Sequence, residues 1–341
     1  MGLFSIVSKD IGMDLGTSNI LITIKGKGIV LNEPAVVAID RRKNEIVATG
    51  YEAKEMLGRT PEQIDAVRPI KDGVIADLTA TSLLIKNIMS KVCKRYNCGR
   101  PRVVVGVPSG ITEVEERAVQ EAVASAGARE VFLIEEPMAA AIGAGLDVAE
   151  PAGNMVVDIG GGTTEVAVVS LGGIVVSDSI KMAGDEIDQE IISYIKNNLN
   201  LAIGATIAEQ IKIELGCATR PVSEKTMEIS GRNLTTGLPD NRTISAEEVC
   251  QAMAPSIEKI VELIKSTLEK TPPELVADII ERGIVLTGGG ALIKNLDMVI
   301  AQRIEVPVYI AERPLECVVN GTSKTIQDMD KLRRVLINSR G

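Results

Sequence analysis

Histidine is absent from the 341 residues. That absence removes Ser-His-Asp and Cys-His nucleophilic catalysis, histidine-containing metal sites and imidazole acid–base chemistry together. The five cysteines (Cys93, Cys98, Cys217, Cys250 and Cys317) include no CxxC pair and are odd in number. They fit reduced thiols acting mainly as core filler better than a disulfide frame. No apolar run approaches the ~20 residues that span a bilayer. The opening "MGLFSIVSKD" has neither a basic n-region nor a cleavage site, so a cytoplasmic protein is expected. Positive charge is in deficit too. A net charge of −9 offers no basic footprint for a duplex, and no nucleic-acid partner is expected.

What is present describes a globular α/β protein. Hydrophobic residues at 45% and charged residues at 24% are ordinary for a soluble fold, and the length exceeds what one core usually organises, so two domains are expected. Strand-like and amphipathic helical stretches alternate. Residues 19–31 and 34–39 read as strands, with turns at Lys25–Gly28 and Asn32–Glu33. "RVVVGVP" (102–108) precedes a helix from Glu113 to Ala126, with a Thr112/Glu115 capping box at its start and Gly127 at its exit. "VFLIEEP" is a strand after which Pro137 opens "MAAAIGAG" as a helix. Further helices are expected after Gly184, near 206–215 and from Ser245, capped with Glu248, to about Lys270. "TPPEL" separates two helices, and "GIVLTGGGALI" (283–293) reads as a strand and glycine turn feeding a helix that ends near Arg303.

An internal repeat organises these elements. "MDLGTSNILITIKGKGIV" (13–30) and "VDIGGGTTEVAVVSLGGIV" (157–175) share one pattern: Asp-apolar-Gly, small and hydroxyl residues, an alternating strand, a glycine turn, Ile-Val. Asp14 corresponds to Asp158, and Gly28 to Gly173. A tight turn between two strands aims consecutive backbone N–H groups into one concavity, a nest for anionic oxygens, and glycine lets the backbone approach. Thr17, Ser18, Thr163 and Thr164 add hydroxyl donors, and an aspartate closes each preceding strand. Two such carboxylates facing across a cleft suit an octahedral Mg²⁺ bridged by waters and phosphate oxygens. Neither GxxxxGK[ST] nor GxGxxG occurs, which sets aside P-loop NTPases and dinucleotide oxidoreductases. "TGGGALI" (287–293) supplies a third glycine turn, suited to close approach to a flat base or an anion.

"DLGTSN", "DIGGGTTEVAV", "LIEEPMAAAIGAGL" and "LTGGGALI" resemble the phosphate, connecting and adenosine motifs of the actin and heat-shock chaperone ATPase superfamily. "KGKGIVLNEPAVVAID", "VRPIKDGVIAD", "AGDEID", "IKIELG" and "TGLP" narrow the resemblance to the MreB/Mbl bacterial actins, over nearly the whole chain. The resemblance implies an α/β actin-like ATPase fold: two related domains with duplicated ribonuclease-H-like cores around a nucleotide cleft, each with a small subdomain. It divides the chain into 1–31, 66–142 and 320–341 (subdomain IA), 32–65 (IB), 143–181 and 245–319 (IIA), and 182–244 (IIB).

ATP or ADP with Mg²⁺ is then expected between the halves. Gly16, Thr17, Ser18 and Asn19 form one phosphate turn after Asp14, and Gly160, Gly161, Gly162 and Thr163 form the other after Asp158. By the same resemblance Asp14 and Asp158 hold the hydrated metal, while Glu136 and Thr163 position the attacking water. From the residues alone Glu136 reads equally as a helix N-terminal carboxylate interacting with the dipole. Glu209 and Lys212 match the ribose and adenine contacts, yet Thr206–Glu209 also reads as a capping box and Glu209/Lys212 as a surface pair. Gly288, Gly289, Gly290 and Ala291 border the adenosine, with Gly184 and Asp185 as further cleft contributors.

Relatives of this type form paired filaments on the inner face of the cell membrane, with membrane proteins of the elongation machinery, and direct cell-wall synthesis. Two stretches suit a membrane contact. "GLFSIV" holds Phe4 and is followed by Lys9; "CKRYNCGRPR" (93–102) carries Lys94, Arg95, Arg100 and Arg102. The first also reads as the lead-in to a strand and the second as a solvated charge cluster. "NGTSK" (320–324) departs from the family's usual glycine-rich turn. A superfamily small-molecule kinase or a chaperone-type ATPase is the alternative function. Neither an acceptor-domain insertion, nor an unassigned acidic residue at a strand end, nor a peptide-binding domain is read in the chain.

Overall fold

A computed structural model describes residues 9–337 apart from 44, 222 and 223, so "GLFSIV" lies outside the described residues. The first half begins with β1 (Ile11–Leu15), β2 (Asn19–Ile24) and β3 (Gly28–Pro34). A small sheet follows, made of β4 (Val37–Asp40), β5 (Glu45–Thr49) and β6 (Ile64–Val67), with α1 (Tyr51–Met56) between its last two strands. The hairpin β7 (Ile70–Lys71) and β8 (Val74–Ile75) leads to α2 (Leu78–Tyr96), β9 (Arg102–Val107), α3 (Glu113–Ser125), β10 (Glu130–Glu135) and α4 (Glu136–Gly143).

The second half opens with β11 (Asn154–Ile159), β12 (Thr164–Ser170) and β13 (Gly173–Ile180). Then come α5 (Gly184–Leu199), β14 (Leu201–Ala202), α6 (Ala205–Leu215), β15 (Thr226–Asn233) and β16 (Pro239–Ser245). The chain ends in α7 (Ala246–Lys270), α8 (Pro273–Arg282), β17 (Ile284–Thr287), α9 (Leu296–Ile304), β18 (Val308–Ile310) and α10 (Cys317–Gln327), followed by short turns.

The sequence repeat is a spatial repeat. One five-stranded sheet runs β3-β2-β1-β9-β10 and the other β13-β12-β11-β17-β18. In each, the first three strands pair antiparallel as a meander, and the central strand pairs in parallel with a later one. Residues of β11 and β12 are buried throughout, so β12, expected to alternate, has no solvent-facing side. Because β1, β9, β11 and β17 are mutually parallel within their sheets, their carboxyl ends share one edge per sheet, where open α/β sheets place ligands.

Each half has its own aliphatic core, and a third cluster joins them where α4 crosses α10 between the two sheets. That crossing is close. A Cβ on Gly143 would lie 1.8 Å from the Cys317 carbonyl oxygen, and one on Gly321 would lie 1.8 Å from the Ala139 carbonyl oxygen. Only glycine allows two helix backbones to meet at that distance.

Most local expectations hold. The Thr112/Glu115 and Ser245/Glu248 capping boxes form with both reciprocal hydrogen bonds, and all five cysteines are free thiols. Four expectations need correction. Asn32 and Glu33 form no turn; β3 runs through them because Asn32 pairs with Leu21 and Glu33 with Ile20 on β2. The turn after β17 opens a 3-10 segment, Gly289–Leu292, and α9 starts only at Leu296, after Asn295 turns left-handed. Helix α6 is entered from Gly204, so Thr206 caps nothing. Residues 320–324 lie inside α10, mostly buried, and are no turn at all.

Candidate functional site

The β1–β2 and β11–β12 turns meet face to face. A Cβ on Gly161 would stand 2.0 Å from Ser18 Oγ, and one on Gly162 would stand 2.9 Å from Thr17 Oγ1 and 2.9 Å from Asp72 Cα. Gly161 and Gly162 of the second turn thus receive the Ser18 and Thr17 hydroxyl side chains of the first. Thr17 Oγ1 also accepts from Gly73 N–H at 3.2 Å, which ties the β7–β8 hairpin to the same place. The third glycine turn leans on the second half's central strand. Gly288 has φ +78°, and a Cβ there would sit 2.3 Å from the Ile159 carbonyl oxygen.

These turns enclose a 490 Å³ cleft between the halves. Asp14, Gly16, Thr17, Ser18, Asn19, Glu136, Asp158, Gly160, Gly161, Gly162, Thr163, Gly184, Glu209, Lys212, Gly288, Gly289 and Gly290 all line it. Ala291 does not: its side chain is fully buried in the second half's core. Asp185 is also outside the lining, where its carboxylate holds Arg68 at 2.7 Å. The far end of the cleft is apolar. Ile213, Leu292 and Leu315 are among its lining residues and stay about half exposed or more, apolar surface that sequence reasoning missed. Nothing in the pattern distinguishes them from ordinary core positions.

The floor of the cleft concentrates carboxyl groups. Burial, with the Asp158 charge adding to it, pushes Asp14 up to about 8. Burial lifts Asp158 to about 6, against a 2.8 Å hydrogen bond donated by Thr287 Oγ1 that favours its charged form. Glu136 is raised well above the usual carboxylate range by burial first, then by Glu165, Asp14 and Asp158. Glu165 reaches about 8 through burial and the Asp158 charge, although Ser109 N–H donates to its Oε1 at 3.0 Å. Its Oε2 is buried without a partner among the described residues. No cation figures among the causes of these four shifts, so the floor is a place where positive charge is favoured.

Glu165 corrects the expectation that no unassigned acid stands at a strand end. It is the second residue of β12, paired with Asp158 across the hairpin, and 1% exposed. A single carboxylate inside an otherwise apolar strand was the signal available in the sequence.

For a divalent cation, the described residues contain no cluster of three or more Asp, Glu, Cys or His side chains. Asp14 and Asp158, hard oxygen donors that both line the cleft, would fit a hydrated Mg²⁺ and would hold it there.

Glu209 and Lys212 are not a surface pair. Lys212 Nζ donates to the Gly184 carbonyl at 2.8 Å and pairs with buried Asp188 at 2.9 Å, while Glu209 Oε2 accepts from Lys54 at 2.7 Å. Lys212 therefore anchors the start of α5, whose Gly184 and Asp185 N–H groups donate to the Gly160 and Gly161 carbonyls at 3.2 and 2.7 Å. Helix α5 backs the second glycine turn.

The 93–102 stretch is half helix, since α2 runs to Tyr96. Arg102 is not a free headgroup ligand: it makes a two-point contact with Asp10, at 3.0 and 2.6 Å. Arg95 packs against the Tyr96 ring at 5.4 Å, and Lys9 N–H donates to the Cys98 carbonyl at 3.1 Å. No described helix is long and apolar enough to cross a membrane.

Comparison with known proteins agrees with this geometry. The family described as MreB/Mbl protein matches residues 8–334. The chain is 50% identical over 325 residues to the cell shape-determining protein Mbl of Bacillus cereus, covering 95% of this chain and 98% of that one. It is 49% identical over 334 residues to the cell shape-determining protein MreB of Escherichia coli, covering 96% and 95%. Among solved structures, the crystal structure of MreB5 of Spiroplasma citri bound to ADP superposes with a TM-score of 0.91 at 40% identity, over 96% of this chain and 98% of that chain. The fold is thus the two-domain, actin-like one.

Proposed function

The chain belongs to the MreB/Mbl protein family, and from that premise we propose that it is a bacterial actin: it binds and hydrolyses ATP with Mg²⁺ and polymerises into paired, membrane-bound filaments that organise cell-wall synthesis. One observation carries the nucleotide part. Two matched glycine turns from duplicated halves meet across a cleft, each preceded by an aspartate that lines it, Asp14 and the buried Asp158. A structural relative at 40% identity holds ADP, which supports the same occupant here.

In this reading the backbone amides of 16–19 and 160–163 bind the phosphates, and Asp14 and Asp158 orient the hydrated Mg²⁺. The metal, when bound, supplies charge neutralisation on the phosphate oxygens. Glu136, at the first position of α4 and almost buried, turns its carboxylate toward the same floor and orients a water with Thr163. Burial and the Glu165, Asp14 and Asp158 charges raise its proton affinity, so it accepts the water's proton once a bound cation offsets those charges. The base lies on Ile213, Leu292 and Leu315, with Gly288–Gly290 closing one side.

For the division into four subdomains, we extend the first small one from 65 to Val67, because β6 pairs with β4 up to Val37↔Val67. For the membrane, the described candidate is the basic 93–102 stretch, against which Lys9 is held by its N–H donating to the Cys98 carbonyl. Filament formation multiplies weak contacts of this kind.

The test is to pellet the protein with ATP, ADP or neither, with and without anionic vesicles, while following phosphate release. ATP-dependent pelleting, enhanced by vesicles, is expected. Phosphorylation of a small acceptor without pelleting would make the chain a superfamily kinase instead.

A further inference from the structure

Glu209 has two oxygens and two calls upon it. Its Oε2 accepts from Lys54 at 2.7 Å, and Lys54 belongs to α1, on the small β4–β6 sheet of the other half. The pair joins the two halves beside the cleft, with both side chains only about a quarter exposed, at 29% and 28%. Oε1 has no protein hydrogen-bond partner among the described residues, and Glu209 lines the cleft. A nucleotide with its phosphates between the two glycine turns and its base on Ile213 and Leu292 carries its sugar past Glu209, one helical turn before Ile213 on α6.

We propose that Lys54 is a nucleotide-site residue acting at a distance, which fixes Glu209 as an acceptor for the ribose hydroxyls and so links sugar recognition to the approach of the β4–β6 sheet. This inference rests on the nucleotide reading above, takes Glu209 as the ribose contact that the resemblance implies, and adds the residue that positions it. Free of Lys54, the Glu209 side chain ranges over several rotamers and a ribose hydroxyl must order it. Held by Lys54, it is already in place, and its charge stays partnered once the hydroxyls bind. Linkage then runs both ways: a ribose on Glu209 favours the bridged arrangement, and the bridge favours the ribose. A second bridge from the first half, Arg68 to Asp185 at 2.7 Å, ends on α5 behind the phosphate turn and does not touch the sugar end. The two bridges are thus separable by experiment.

The full-length protein is titrated calorimetrically with Mg-ADP and with Mg-2′,3′-dideoxy-ADP, which avoids turnover. Wild type should prefer the ribose form, and Lys54→Met should shrink that preference by about threefold to tenfold, as a partly exposed charge pair allows. Glu209→Gln should shrink it similarly, Lys54→Met/Glu209→Gln no further, and Lys54→Arg should keep most of it. If Lys54 merely supplied positive potential, both nucleotides would weaken equally and the preference would survive. That result, additivity in the double variant, or a wild type indifferent to the hydroxyls each overturns the inference. A wild type that binds neither nucleotide overturns the nucleotide reading itself.

Discussion

The α4–α10 crossing is sharp enough to predict from its geometry what one methyl group will do. In Gly321→Ala, the new carbon would stand 1.8 Å from the Ala139 carbonyl oxygen and 2.5 Å from its carbon. Ordinary carbon–oxygen contacts begin near ~3.3 Å, so the helices must part by about 1.5 Å. They do so inside a close-packed cluster that joins both sheets. Overpacking of this kind costs about 1–3 kcal/mol. A 1.8 Å approach to backbone calls for the upper half of that range, and alanine inside a helix returns about 0.5–1 kcal/mol relative to glycine, leaving a net loss of about 1–2.5 kcal/mol. For a chain of this length that is a fall of roughly 2–6 °C in melting temperature by scanning calorimetry. Because α4 starts at Glu136, its displacement should also slow phosphate release. Gly173→Ala is the control: the nearest atom to its added carbon is 3.9 Å away, and melting should barely change. If Gly321→Ala melts with wild type and the control, the helices separate at no cost and the crossing does not hold the halves together.

Other perturbations separate the cleft residues by role. Glu136→Ala should keep Mg-ATP affinity while slowing single-turnover phosphate release by about 10²–10⁴-fold, and Asp158→Ala should weaken Mg-ATP binding by tenfold or more, with a reduced dependence on Mg²⁺ concentration. Gly161→Ser, whose Cβ would lie 2.0 Å from Ser18 Oγ, should abolish nucleotide binding with circular dichroism unchanged; Ser18→Gly in the same chain should restore part of it. Glu165 binds its proton more tightly folded, near 8, than at its ordinary 4.5. Its contribution to stability is therefore full below about 4.5 and lost as pH rises through about 8. Glu165→Gln, which still accepts from Ser109 N–H, should melt higher than wild type near pH 8.5 and no higher near pH 4.5; a constant difference across that window would remove titration as the cause.

How far each feature was legible depended on the range of the physics behind it. The two capping boxes, the Pro137 helix start and the paired glycine turns are set by residues within a few positions of one another, and all were readable. Asn32–Glu33 has turn composition, but pairing with Ile20 and Leu21 on β2 outweighs it, since strand formation answers to tertiary partners more than to propensity. Thr206 offers capping chemistry, yet the chain enters α6 two residues earlier. The Lys54–Glu209 bridge joins positions with no shared pattern, and only the fold brings them together. Ile213 and Leu315 are ordinary apolar letters until the cleft opens between them. Glu165 was visible and passed over, because a strand of buried residues hides which of its members faces the floor.

The fit of Thr17 and Ser18 into the space left by Gly162 and Gly161 bears on how such a molecule can arise. Two identical turns placed face to face would fail in either form. Thr-Ser against Thr-Ser would put hydroxyls where hydroxyls already stand, and Gly-Gly against Gly-Gly would leave a gap wide enough for water to reach the phosphate side. A tandem copy of one half is therefore not yet this clamp. It becomes one when the copies take opposite parts, one supplying bulk and the other supplying room, so the repeat had to lose its symmetry where its two phosphate turns meet.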